Sequence, residues 1–249
     1  MLIAAMGDVH GRQNIGLVKA ASDRLERCDL ILLAGDTTDS NDFDQFGEVV
    51  AALRQGSDAE LIAVFGNEEY DESRSGYKQR YPMIYLEEEA RELVLDDVKL
   101  KIVGSTGALD RPTWWQRTNI PEVWKRYKDR TVAVEALLDR GDADVLLLLT
   151  HYAPTYATLK GEREGAWPEM GSQHMENVLM EKRPDLAIHA HAHRGDKLAV
   201  LSRKQRSLED FKAAGASVPV YNVSLPARGA VSFFEIGREE NGVSISELQ

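Results

Sequence analysis

Five short apolar runs punctuate the chain, and each stops at a polar residue of a similar kind. Leu2–Met6 runs into Gly7-Asp8, Leu30–Ala34 into Gly35-Asp36, and Leu61–Phe65 into Gly66-Asn67. Val145–Thr150 ends at His151, and Leu186–Ala190 leads into His191 and His193. Runs this short and this uniformly apolar read as buried strands. Between the first three lie Ile15–Glu26 and Phe43–Leu53, whose apolar residues recur at helical spacing. Leu17, Val18, Ala21 and Leu25 mark one face, and Phe46, Val49, Val50 and Leu53 the other. Strand–helix–strand–helix–strand predicts right-handed βαβ crossovers and a parallel sheet.

The pattern then changes. Glu89–Leu95 and Val98–Ser105 alternate as two strands joined by Asp96-Asp97, a hairpin signature. A helix is expected over Glu122–Arg140, just after Pro121, and another from Gln173 to Lys182, capped by Ser172 and closed by Pro184. Leu198–Ser202, Val218–Val223, Val231–Ile236 and Val243–Ser246 read as further strands. Neither an internal repeat nor a low-complexity linker divides the chain, so residues 1–249 are expected to form a single domain.

In a parallel sheet the carboxyl ends of the strands share one edge, where α/β folds place their ligand sites. Asp8, His10, Asp36, Asn67, His151, His191 and His193 are therefore expected to converge although nearly two hundred positions separate the first from the last. The stretch from Ile188 to Gly195 carries His189, His191 and His193, three of the six histidines, at alternating positions. Extended backbone sets such positions ~6.6 Å apart on one face, a spacing that suits imidazoles on two metals ~3.5–4 Å apart. By itself the cluster reads equally well as a solvated strand; the convergence is what favours metal. The donors are two Asp, one Asn and four His, which suits Mn, Fe, Zn, Ni or Co and excludes an all-thiolate site. Seven donors exceed one such ion, whereas a bridging carboxylate such as Asp36 serves two. Paired metals supply hydroxide at neutral pH and clamp the oxygens of an in-line phosphoryl displacement.

Composition narrows the partners. A net charge of −11 argues against broad electrostatic attraction to nucleic acid or anionic lipid. Cys28 is the only cysteine, which excludes an internal disulfide and fits a reducing compartment. No apolar run approaches ~20 residues, and the first six residues lack a basic leader, so a cytoplasmic protein without membrane spans is expected.

Gly7-Asp8-Val9-His10-Gly11, Gly35-Asp36-Thr37-Thr38-Asp39, Gly66-Asn67-Glu68-Glu69, Thr150-His151 and Ala190-His191-Ala192-His193 together resemble the five ordered blocks of the calcineurin-like metallophosphoesterases. Each block is weak alone; five in order are specific. The resemblance implies an α/β, four-layer α-β-β-α sandwich of two mixed sheets flanked by helices, with the metal site at the strand carboxyl ends. It implies Asp8, His10, Asp36 and His193 at one divalent metal, and Asp36, Asn67, His151 and His191 at the other, manganese being favoured. Asn67 would also touch the phosphate. The implied activity is hydrolysis of phosphodiesters or phosphomonoesters, of small molecules or nucleotides, by metal-activated hydroxide.

Two departures stand out. Family members usually carry His after the Asn of the third block, where it helps stabilise the leaving group or the transition state; here it is Glu68. A carboxylate beside a phosphate repels it unless it is protonated, turned away or paired, so weakened or redirected catalysis, favouring diesters, is expected. Ala190 replaces the usual Gly of the last block, a minor change if the backbone there is extended. Glu68 also motivates the alternative of a non-catalytic metal-binding scaffold on the same fold; a nuclease is a third reading, which would call for a basic channel. His189 is expected behind the ligands or packed in the core, and His174 on the surface.

Arg111, Trp114 and Trp115 are candidate substrate contacts, since tandem Trp flanked by Arg suits a base and a phosphate. The Lys125–Arg130 segment reads as a solvated helix face. Tyr152–Tyr156, with Tyr70 and Asp71, are weaker rim candidates.

Overall fold

Along β1 (Leu2–Met6), Ile3 and Ala5 enter one apolar cluster while Ala4 and Met6 enter another. In β2 (Leu30–Ala34) the split repeats, with Leu30, Leu32 and Ala34 opposite Ile31 and Leu33. It recurs in β7 (Val145–Thr150), where Val145, Leu147 and Leu149 oppose Leu146 and Leu148. Successive side chains leave a strand on opposite faces, so a continuous apolar run is a strand covered on both sides. One cover is a second sheet and the other is a layer of helices.

The computed structural model describes residues 1–202, 217–239 and 242–248. Its strands form two six-stranded sheets, in the orders β12-β11-β1-β2-β3-β4 and β5-β6-β7-β8-β10-β9. Here β3 is Glu60–Val64, β4 Ile84–Tyr85, β5 Glu89–Leu95, β6 Val98–Ser105 and β8 Leu186–His189. The remaining strands are β9 (Leu198–Ser202), β10 (Ser217–Asn222), β11 (Ser232–Glu239) and β12 (Gly242–Leu248). β1 through β4 are mutually parallel, as are β6, β7, β8 and β10, and antiparallel strands complete both sheets. Helices α3 (Phe43–Gly56) and α4 (Arg74–Arg80) cover the first sheet through Phe46, Val49, Leu53 and Tyr77. On the second sheet lie α6 (Val123–Leu137) and α7 (Gln173–Lys182), through Val134, Met175 and Leu179. The result is a four-layer α-β-β-α sandwich.

The five polar-ended strands are shared between the sheets, β1, β2 and β3 in one and β7 and β8 in the other. Two sheets therefore present their carboxyl ends to each other. Local differences have local causes. The helix expected over Ile15–Glu26 breaks at Ala21 (φ −94°, ψ 3°) into α1 (Ile15–Ala20) and α2 (Ser22–Leu25). Helix α6 stops at Leu137, short of Arg140. Asp96 and Asp97 both have positive φ, at 48° and 60°, as a two-residue hairpin turn requires. A helix absent from the sequence reading, α5 (Trp114–Asn119), starts at a reciprocal cap in which Thr113 accepts from Gln116 N at 3.2 Å and Gln116 Oε1 accepts from Thr113 N at 2.8 Å.

The inter-sheet core should carry most of the stability. Leu147→Ala is expected to cost about 2–5 kcal/mol in urea unfolding, because that side chain is wholly enclosed between the sheets. Val94→Ala on edge strand β5, where Val94 is 67% exposed, is expected to stay within about 0.5 kcal/mol.

Candidate metal centre and the cleft beside it

The loops that follow the strands are tied to one another before any side chain is considered. Asp8 N donates to Gly35 O and His10 N to Asp36 O, both at 3.0 Å. Between sheets, Gly7 N donates to Val223 O at 3.1 Å, and His191 N to Asp8 Oδ2 at 2.7 Å. Gly7 permits this approach: a Cβ there would lie 2.4 Å from Ala190 Cβ. Ala190 itself is not among the residues with positive φ, so its methyl group adds no backbone strain. Four neighbours are less relaxed. Asp8 (φ 52°), His10 (φ 45°), Asp36 (φ 49°) and His191 (φ 67°) all occupy the left-handed region. That conformation costs an L-residue roughly 1 kcal/mol or more, and it persists where surrounding contacts over-determine it.

The seven expected side chains fall into two facing groups. In the first, His10 Nε2 lies 3.3 Å from His193 Nε2, which lies 3.6 Å from Asp8 Oδ2. Asp8 Oδ1 is buried without a hydrogen-bond partner. Burial opposes ionisation of Asp8, but His193 and His151 outweigh it and hold the group below the usual carboxylate range. His193, half-exposed, is raised in turn by Asp8.

The second group contains Asp36, His151, His191 and Asn67. The His151 ring lies 2.9 Å from Ala34 O through Nδ1, an arrangement in which Nδ1–H donates and Nε2 offers its lone pair. That lone pair faces Asn67 Oδ1 at 3.1 Å and Asp36 Oδ2 at 3.4 Å, so three acceptors point at one another. Burial pushes His151 down to about 4 and His191 to about 3, leaving both neutral and able to ligate at pH 7. Asp36 is pulled upward by burial and by the carboxylates Glu69 and Asp8. The donor atoms of Asp8, His10 and His193 lie within 4.8 Å of one another, as do those of Asp36, His151 and His191. Acceptors gathered in this way, one buried oxygen among them without a partner, fit divalent cations.

Glu69, which the sequence reading left without a role, holds the second loop in shape. Its buried carboxylate accepts from Gly66 N at 2.8 Å, Asp36 N at 3.1 Å and Thr38 N at 3.1 Å. Glu68 lies beside the centre, and both of its carboxylate oxygens accept hydrogen bonds. One oxygen accepts from Ser40 N at 2.8 Å and the other from Asn67 Nδ2 at 2.9 Å. The Asn67 amide is thereby oriented, its nitrogen toward Glu68 and its oxygen toward His151.

Other candidates are dispersed. His189 is buried, 2.9 Å from Thr158 Oγ1 and 2.7 Å from Ala190 O, within the core beneath His191. His174 is exposed, beside Asp110 at 3.0 Å. Arg111 bonds Glu169 at 3.0 Å and Gly165 O at 2.7 Å, which anchors the loop and keeps it off the walls of the cleft beside the centre. Trp114, 71% exposed, points away from that cleft, whereas Trp115, the next residue and about 100° further round α5, lines it.

The cleft encloses about 810 Å³ and opens on Asn67, Glu68 and His191. Its walls include Tyr70, Arg74, Arg126, Tyr127, Arg130 and Tyr152. The helix expected to show Lys125–Arg130 to solvent thus turns two arginines and a tyrosine inward. The signal was present: Val123, Tyr127, Arg130 and Val134 form one buried stripe at helical spacing, with an arginine inside it. Among the described residues no helix is long and apolar enough to cross a membrane.

Comparison with known proteins identifies the family and the fold. The chain matches the calcineurin-like phosphoesterase family model over residues 1–195. No curated protein matches it. A hypothetical protein from Thermus thermophilus superposes with a TM-score of 0.56 at 14% identity, over 100% of this chain and 98% of that one. A putative 5′-nucleotidase from Staphylococcus aureus gives 0.59 at 14% identity, over 98% of this chain and 52% of that one. Purple acid phosphatase from yellow lupin seeds gives 0.57 at 12% identity, over 100% of this chain and 51% of that one. The chain therefore spans about half the length of the last two. By its family model and its fold alike, the chain belongs to the calcineurin-like phosphoesterases.

Proposed function

We propose that the protein hydrolyses phosphate esters of small molecules or nucleotides at two divalent metal ions. Asp8, His10 and His193 would hold one, Asn67, His151 and His191 the other, and Asp36 would serve both. The observation that carries this reading is the pair of facing acceptor groups, in which Asp8 Oδ1 is buried without a partner. Nitrogen and oxygen donors suit Mn, Fe, Zn, Ni or Co. When bound, such ions activate water and neutralise the oxygens of the phosphoryl group.

The chain's own residues set the terms. The Nδ1–H of His151 is committed to Ala34 O, which keeps Nε2 free as a ligand. Glu69 fixes three loop amides and so aims Asp36. Glu68 fixes the Asn67 amide with its oxygen toward the centre. Both Glu68 oxygens are committed to hydrogen bonds from Ser40 N and Asn67 Nδ2, so no side chain here takes the place of the usual His beside the leaving group. Catalysis then depends on the leaving group's own stability as an anion, and aryl esters should be favoured over alkyl esters.

Three outcomes check this. Manganese-loaded protein should carry two ions per chain by elemental analysis, and chelation should both abolish turnover of bis(p-nitrophenyl) phosphate and lower the melting temperature. Asp36→Asn should bind fewer ions and lose at least ~10²-fold in kcat/KM, since the shared ligand is gone. Rates on aryl esters should fall steeply as leaving-group pKa rises, and Glu68→His should flatten that dependence and gain up to ~10²-fold on alkyl esters by general-acid help. Metal binding without turnover of any ester would leave the scaffold reading standing.

A further inference from the structure

The cleft does not end at the metal centre. Asp71, Arg74, Pro121, Arg126 and Arg130 line both the cleft and a second groove of about 840 Å³ between α4 and α6. Three guanidinium groups thus form the ridge between two cavities. Arg74 is 11% exposed, set over the Phe65 ring at 5.0 Å and bonded to Asp71 at 3.1 Å and Glu87 at 3.0 Å. Arg130 is 10% exposed and lies 3.3 Å from Glu88 and 3.4 Å from Gly107 O. Arg126, 38% exposed, pairs with Asp71. Glu87 and Glu88 line the groove and not the cleft. On the cleft side, whose lining also includes Glu68, Glu69, Glu72 and Glu169, Asp71 is the carboxylate that accepts from two of the three arginines.

Two largely buried, prepositioned arginines and a more exposed third are suited to phosphate recognition, because the guanidinium fork matches the phosphate oxygens. The distance from the centre is also informative. The ring of His191 lies 4.9 Å from that of Tyr152, and Tyr152 lies 6.3 Å from Tyr127, which sits on α6 between Arg126 and Arg130. Two aromatic rings therefore lead from His191 to the helix that carries Arg126 and Arg130, along one continuous cleft. Trp115 and Tyr70, 57% and 40% exposed, line the same cleft and present faces on which a planar base can stack.

We propose that Arg74, Arg126 and Arg130 form a second anion subsite, so that the cleft takes a nucleotide carrying a phosphate in addition to the one at the metals, with Asp71 as the internal anion that this phosphate displaces. The proposal rests on the phosphoesterase reading only in placing the first phosphate.

The test compares adenosine 3′,5′-bisphosphate with adenosine 5′-monophosphate, by calorimetry on manganese-loaded protein and as competitors of bis(p-nitrophenyl) phosphate turnover. The bisphosphate should bind at least about tenfold more tightly, the return expected from one charge-assisted contact. Arg126→Met should remove most of that ratio, Arg126→Lys should keep part of it, and Asp71→Asn should widen it by removing the competing carboxylate. Equal affinities in the wild type, or an unchanged ratio in Arg126→Met, would overturn the subsite. If the ratio holds in calorimetry while no ester is cleaved, the subsite stands and the phosphoesterase reading fails. If esters are cleaved and the ratio is near one, the reverse is true.

Discussion

Three carboxylates, Asp8, Asp36 and Glu69, lie buried in one knot of loops, and everything at this end of the molecule is arranged around their charge. Burying an anion is costly unless hydrogen bonds or opposite charge compensate. Glu69 is answered by three backbone amides and Asp36 by the amide of Glu68 at 2.8 Å. Asp8 takes the amide of His191, and its other oxygen takes nothing. Backbone dipoles and neutral imidazoles hold this cluster together without cancelling its charge. A divalent cation does both, and the left-handed backbone at Asp8, His10, Asp36 and His191 is strain of the kind that such a centre retains.

Glu68 shows how one substitution is absorbed. Its carboxylate accepts from the Ser40 amide across the neighbouring loop at 2.8 Å. It also acts on its neighbour. The Asn67 amide has two nearly isosteric orientations, and the bond from Nδ2 to Glu68 selects the one that presents oxygen to His151. The side chain after Asn67 thus orients that amide.

The same separation of roles governs the cleft. The chain as a whole is acidic at −11, yet three arginines meet on the ridge between α4 and α6. Burial strengthens their field, because a guanidinium held out of water is screened less than one on the surface. Although burial raises Asp71, Arg74 and Arg126 hold it below the usual carboxylate range. Net charge describes how the protein meets a distant polyelectrolyte; the ridge describes how it meets a small anion already inside.

Much of this was legible in the residues alone. Period-two alternation and apolar runs locate the strands, because covering both faces of a strand leaves few residue types to choose from. Asp8, His10, Asp36, Asn67, His151, His191 and His193 are legible as a set because each follows such a strand. The sequence could not say that β7 and β8 belong to a different sheet from β1, β2 and β3, since both arrangements bury the same side chains. Nor could it decide where loop side chains point. Trp115 faces the cleft and Trp114 does not; Arg111 is spent on Glu169 while Arg126 and Arg130 turn inward; Glu68 finds Ser40. Each of those outcomes depends on partners that only the closed sandwich brings within reach. Strand positions follow from local periodicity, whereas side-chain direction at the strand ends is settled by left-handed backbone and by contacts tens to hundreds of residues apart.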